Sequence, residues 1–227
     1  MGADPITVQG LSDLTGDSAR WSTATLYIGV EGCCWRSLSE DFGPWQTVCG
    51  YQDRFRHDGA WADVAVPLVP AARARFGKAP VPSTGIAGAW SITSRPQKGK
   101  RGVDAYKEVG SIKCYLLTCS FNFCLAVLVP AINLHDTHGL EPLLERAAET
   151  GRDLRRVKVG TSTPARQFGQ PPSGTPSTFQ VPLRDPTTRG FASLPVRWRI
   201  EATFGTLSNC YRRLTRNLEQ SAEAPRT

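Results

Sequence analysis

The longest apolar run in this chain, residues 114–132, cannot be a single element. Ser120 and Asn122 interrupt it, and Pro130 removes a backbone donor near its end. No stretch of the chain approaches the roughly 18 apolar residues that a membrane-spanning helix needs. The run reads instead as a β-hairpin, with apolar, β-rich segments at 112–117 and 123–131 and Ser120-Phe-Asn122 as the turn between them.

Helical patterns flank this hairpin. After it, Asn133-Leu-His-Asp136 offers an N-cap to a helix with Leu140, Leu143, Leu144 and Ala147 on one face, and Gly151 stops it. Residues 155–159 read as a short strand. Residues 195–219 read as a long basic amphipathic helix, with Val196, Ile200, Phe204, Leu207 and Tyr211 at helical spacing among Arg197, Arg199, Arg212, Arg213 and Arg216. Strand, hairpin, helix, strand and helix in that order suit an α/β core with a mixed sheet. Ahead of the core, three short helices are expected, over 21–30, over 45–57 behind Pro44, and from Trp61 to Val66 after the Asp58-Gly59 break.

Composition marks the boundaries. Residues 1–20 are polar and expected to be poorly ordered, 21–66 form a small all-α domain of helix-turn-helix size, and 67–88, rich in Pro, Ala and Gly, read as a linker. The core spans 89–219, with a Pro/Ser/Thr/Gly/Gln loop at 161–188, and 220–227 is a tail. The net charge of +7 favours a polyanionic partner, of which nucleic acid is the usual one. Seven cysteines without a Cys-x-x-Cys pair, and without a histidine at zinc-ligand spacing, read as reduced, mostly buried thiols. The Met-Gly-Ala-Asp-Pro start has no secretory character, so a cytoplasmic location without a membrane is expected.

Three blocks carry a family resemblance. Gly32-Cys-Cys-Trp-Arg through Phe42-Gly-Pro-Trp-Gln-Thr-Val48, followed by Asp58-Gly-Ala-Trp61, resembles the N-terminal helical domain of small bacterial insertion-sequence transposases of family five. Arg101-Gly-Val-Asp104 through Ala126-Val-Leu-Val and on to Asn133-Leu-His-Asp136 is similar to the centre of their catalytic core. Arg189-Gly-Phe through Arg197-Trp-Arg-Ile-Glu-Ala-Thr-Phe204 and Arg212-Arg-Leu-Thr-Arg216 resembles their last core helix. The resemblance implies an RNase H-like mixed sheet with flanking helices and a DDE-type metal-dependent strand-cutting and joining reaction. The implied partners are DNA, in the form of the element's terminal inverted repeats, and a possible second copy in a homo-oligomer.

That chemistry uses two divalent ions roughly 3.5–4 Å apart, Mg²⁺ by family expectation, held by converging carboxylates. The resemblance implies an Asp on the first core strand, an Asp ending the fourth strand and a Glu on the last helix. Glu201 matches the helix acid, as catalytic and metal-binding residue. The first Asp falls at Trp90, ahead of Ser91-Ile-Thr93, within a residue or two. The second falls at Gly160, after Arg156-Val-Lys-Val159. Two of three acids are therefore missing, and a lone carboxylate cannot hold two Mg²⁺ ions. The basic pair that the family places after Lys113 reads Cys114-Tyr115, a further departure from its pattern.

DNA contacts are expected from Lys98, Lys100, Arg101, Arg197, Arg199, Arg212 and Arg213, weighed equally with a solvated basic face. Trp35, Trp45 and Trp61 read as core anchors rather than stacking platforms, and His135 with His138 as part of a capped helix start. Three functions stay open at this point: a DNA-binding protein with impaired transposase chemistry, an active transposase with relocated acids, and a non-functional product of a dead element.

Overall fold

The computed structural model describes residues 16–94, 102–103, 110–129, 139–151, 154–159, 178–180 and 197–217. The chain divides into two compact units. The first comprises Met1–Pro80, Ser208–Thr215 and Pro225–Thr227, and the second comprises Val81–Leu207 and Arg216–Ala224.

The first unit is helical. α1 (Asp17–Glu31) ends at Gly32, whose φ of 68° is the left-handed cap conformation that glycine adopts without strain. Two 3₁₀ turns follow, Trp35–Ser37 and Glu40–Phe42. α2 (Trp45–His57) starts directly after Pro44, and α3 (Ala60–Arg75) starts after Gly59. Ala24, Ile28, Leu38 and Val48 form the core, and Trp21, Cys33, Trp35, Phe42 and Trp45 pack around it. Trp61 meets Phe55 edge-on at 5.7 Å, so Trp35, Trp45 and Trp61 do act as packing anchors.

Two expectations for this region change. Residues 17–20, read as poorly ordered, are the first turn of α1. The third helix does not stop at Val66. It continues through Pro67 and Pro70, so residues 67–75 of the expected linker are helical. Ala71, Ala72 and Ala74 are strong helix formers, and burial of Val69 and Arg73 holds the segment despite the donors that two prolines remove.

The second unit is built on a mixed sheet. β1 (Thr84–Ser94) pairs antiparallel with β3 (Gly110–Cys119), which carries β2 (Gly102–Val103) and β4 (Cys124–Leu128) on its far edge. On its other side β1 pairs parallel with β5 (Arg156–Val159), which pairs parallel with β6 (Thr178–Gln180). A two-residue β7 (Arg216–Asn217) also lies parallel to β1, at Thr93–Ser94. The expected hairpin is β3–β4. Cys119 and Phe123 close it through a 2.9 Å backbone hydrogen bond, and Asn122 takes φ 61°, the left-handed position that a three-residue loop requires.

Strand alternation gives this sheet two faces. Ala87, Tyr115, Leu117, Val157 and Val159 share one face, and all are buried. α4 (Leu140–Glu149) serves that face. Gly139, just ahead of the helix, lies against the Tyr115 ring, and Leu140, Leu143, Leu144 and Ala147 are buried as their spacing suggested. Ile86, Gly88 and Trp90 of β1 point to the opposite face, where α5 (Arg197–Cys210) lies through Ile200 and Phe204.

The last helix is shorter than expected. It ends at Cys210, Arg212 and Arg213 fall in a 3₁₀ turn (Arg212–Thr215), and Arg216 falls in β7. β1 begins at Thr84 rather than near Ala89, because β3 and β5 pair with its Gly-rich start from both sides. The cysteines are free, but only Cys119 is fully buried; Cys33, Cys49 and Cys114 are half-buried, and Cys34, Cys124 and Cys210 are exposed. The N-cap expected at 133–136, most of the loop at 161–188 and the tail at 220–227 lie outside the described residues.

Candidate functional site

α5 carries the candidate acid, and its amphipathicity sets where that acid stands. Ile200 is buried against Ile86 and Leu116, with Phe204 and Leu207 packed on the same cluster. Glu201 is one residue further round the helix and exposed to solvent. Trp198, one turn earlier on the outer side, is 49% exposed.

Opposite α5, β1 presents no carboxylate. Trp90, at the position expected for the first Asp, packs its ring 5.8 Å from the ring of Phe204. Gly88, two residues earlier on the same face, meets α5 so closely that a Cβ on it would lie 2.6 Å from Cγ1 of Ile200 and 3.3 Å from the Phe204 ring. Lys158 of β5 stands in register with Ile86 and so belongs to this face too. Cys114, in register with Trp90, also belongs to it, and burial pushes its thiol up to about 11, with Cys124 adding to the shift. Gly160, the other position expected to carry an Asp, lies outside the described residues.

Among the described residues, the neighbouring helix offers no substitute from this face. Glu141, Glu145 and Glu149 are on α4, which covers the opposite side of the sheet. Among the described residues no group of three or more His, Cys, Asp or Glu side chains could hold a metal ion.

The arginines hold local structure. Arg199 donates from Nη1 to the carbonyl of Ser120 in the β3–β4 turn, and its guanidinium lies 5.6 Å from the centroid of the Trp198 ring. In the first unit, Arg213 donates from Nη1 to the carbonyl of Cys33 at 3.0 Å, and Arg212 pairs with Glu31 at 3.5 Å. Arg197 opens α5. Lys98, Lys100 and Arg101 lie outside the described residues. The structure therefore places Glu201 and Arg199 on one helix of the second unit, with Arg212 and Arg213 among the residues of the first.

Residues 15–65 of the chain match the family model described as "Putative transposase of IS4/5 family". Over these residues the N-terminal unit is similar to an insertion-sequence transposase domain. No curated protein and no solved structure matches the chain. The match covers α1, both 3₁₀ turns, α2 and the start of α3, the segment in which Trp21, Trp35, Phe42 and Trp45 enclose the core. The resemblance in this block rested on Gly32, Trp35, Pro44, Trp45 and Gly59. Gly32 and Gly59 cap helices, Pro44 precedes α2, and the two tryptophans pack on the core.

Two residues at the contact between α5 and β1 or on α5 itself, Gly88 and Trp198, were not singled out from the sequence. Gly88 had as its signal the small-residue pattern Gly85-Ile-Ala-Gly88, which permits a close helix approach. Trp198 had only its place between Arg197 and Arg199.

Proposed function

We propose that this chain is a DNA-binding protein of the insertion-sequence transposase kind, of family five, with an RNase H-like core whose strand-cutting chemistry is impaired. The transposase domain at residues 15–65 and the net charge of +7 support the DNA partner. The order of the sheet supports the core. An antiparallel three-strand meander (β1, β3, β4) is followed by α4 and by two strands, β5 and β6, parallel to β1, with α5 on the face away from α4. In that arrangement the family's three acids would come from β1, the end of β5 and α5.

One observation carries the impairment: the β1 surface opposed to α5 is Ile86, Gly88 and Trp90, with Ile200 filling the space beside Gly88. A pair of Mg²⁺ ions needs several oxygen ligands at about 2.0–2.1 Å, and Mg²⁺ gives up its water reluctantly. Glu201 stands on the exposed side of α5, and the β1 residues that face this helix are isoleucine, glycine and tryptophan, whose side chains supply no oxygen ligand. Among the described residues, the donors on this face do not fit the metal pair.

DNA affinity survives this loss because phosphate contacts use cations rather than the metal site. Arg197 and Arg199 on α5, and Lys98, Lys100 and Arg101 ahead of β3, supply them, with Arg212 and Arg213 contributing from the first unit. Titration of a duplex at two salt concentrations tests the reading. Affinity is expected to fall steeply with salt, since each phosphate neutralised releases counterions. Binding indifferent to ionic strength, or none at low salt, rules it out.

A further inference from the structure

Among the described aromatic residues of the second unit, Trp198 is the most exposed, at 49% against 37% for Phe121. Half of its surface is open, although tryptophan is the residue that gains most from burial. It is fixed in place by charge, because the Arg199 guanidinium lies 5.6 Å from its ring centroid and is itself tied to the Ser120 carbonyl. Glu201 and Ala202 follow it at i+3 and i+4 on the same side of α5, and Gly205 lies at i+7 with open space where its Cβ would be.

We propose that Trp198 is a stacking platform for one unpaired nucleobase of a bound DNA strand. The inference rests on the DNA-binding reading above and names the form of DNA that this site takes. Three physical points carry it. An indole held by a guanidinium on a rigid helix offers a flat surface at little entropic cost. Arg199 lies beside the tryptophan in a chain of net charge +7, which suits a phosphate next to a stacked base. A paired base inside a duplex cannot present its face to a side chain, so the site selects a frayed end, a nick or a single strand.

The test compares full-length wild type, Trp198→Ala and Trp198→Phe on a mixed-sequence single strand and on the same sequence as a blunt duplex. Trp198→Ala is expected to weaken single-strand binding about tenfold while leaving duplex binding within twofold, and Trp198→Phe to keep most of the affinity. Equal thermal midpoints for the three proteins exclude misfolding, as expected for a side chain this exposed. Unchanged single-strand affinity in Trp198→Ala, or an equal loss on both substrates, overturns the stacking role while leaving DNA binding intact. A wild type that binds neither substrate overturns the DNA-binding reading and this inference with it.

Discussion

Ile200 occupies the space that a side chain at residue 88 would need: the Cβ that Gly88 lacks would lie 2.6 Å from the Ile200 Cγ1. Ile200 is 1% exposed, so its neighbours enclose it. α5 and β1 are thus in close contact at Gly88 and Ile200.

This contact makes Gly88 a sensitive position. Gly88→Ala is expected to destabilise the second unit by about 1–3 kcal/mol through overpacking. Gly88→Asp is expected to cost more, since it adds a carboxylate to an apolar contact. Ile200→Ala in the Gly88→Asp background should recover part of the loss. Urea denaturation measures all three, and a Gly88→Asp protein as stable as wild type would mean that the helix is not closed on the strand.

A second contact ties together residues far apart in the chain. Arg213 donates to the Cys33 carbonyl, next to Gly32, whose missing Cβ would lie 2.8 Å from the Cβ of Arg212. Arg213→Ala is expected to cost about 1 kcal/mol, the worth of one partly exposed charged hydrogen bond. Gly32→Ala is expected to cost more, because the left-handed conformation and the steric contact add. Arg212→Ala should cost less than either, since its partner Glu31 and Arg212 itself are both exposed. Chemical unfolding of the three variants should follow that order.

The thiols give a pH signature. Burial raises the Cys114 thiol to about 11 from an ordinary 9.0, whereas the hydrogen bond from Ser37 lowers the exposed Cys34. Iodoacetamide near pH 8 is therefore expected to label Cys34 well before Cys114, as mapped by peptide mass spectrometry. Because the folded value of Cys114 lies above the unfolded one, its contribution to stability is complete below pH 9 and is lost as pH rises from about 9 to 11. Replacing Cys114 with Ser or Ala should flatten that alkaline decline. Equal labelling of both thiols at pH 8 would contradict the burial.

Much of this architecture was legible where local chemistry and tertiary packing agree. The Leu140, Leu143, Leu144 and Ala147 stripe, the Pro44 start of α2, the Gly32 cap and the Asn122 turn are each set by neighbours within a few residues. The misreadings fall where distant contacts win. Thr84–Gly88 has little β character of its own and becomes a strand because β3 and β5 flank it. The last helix stops at Cys210, after which Arg212 and Arg213 bond to Glu31 and Cys33 and Arg216–Asn217 pairs with β1. Pro67 and Pro70 suggested a break that buried Val69 and Arg73 override. At the site, Glu201 could be placed by its motif, but the closed contact at Gly88 depends on residues over a hundred positions apart.

The most direct measurement is nicking of supercoiled plasmid DNA by the folded wild-type protein, in Mg²⁺ and in Mn²⁺, beside Glu201→Ala. The account predicts that the protein binds the plasmid and leaves it uncut in both metals, with the variant indistinguishable from wild type. Metal-dependent nicking that disappears in Glu201→Ala would contradict it, because acids brought from elsewhere would then have to complete the site.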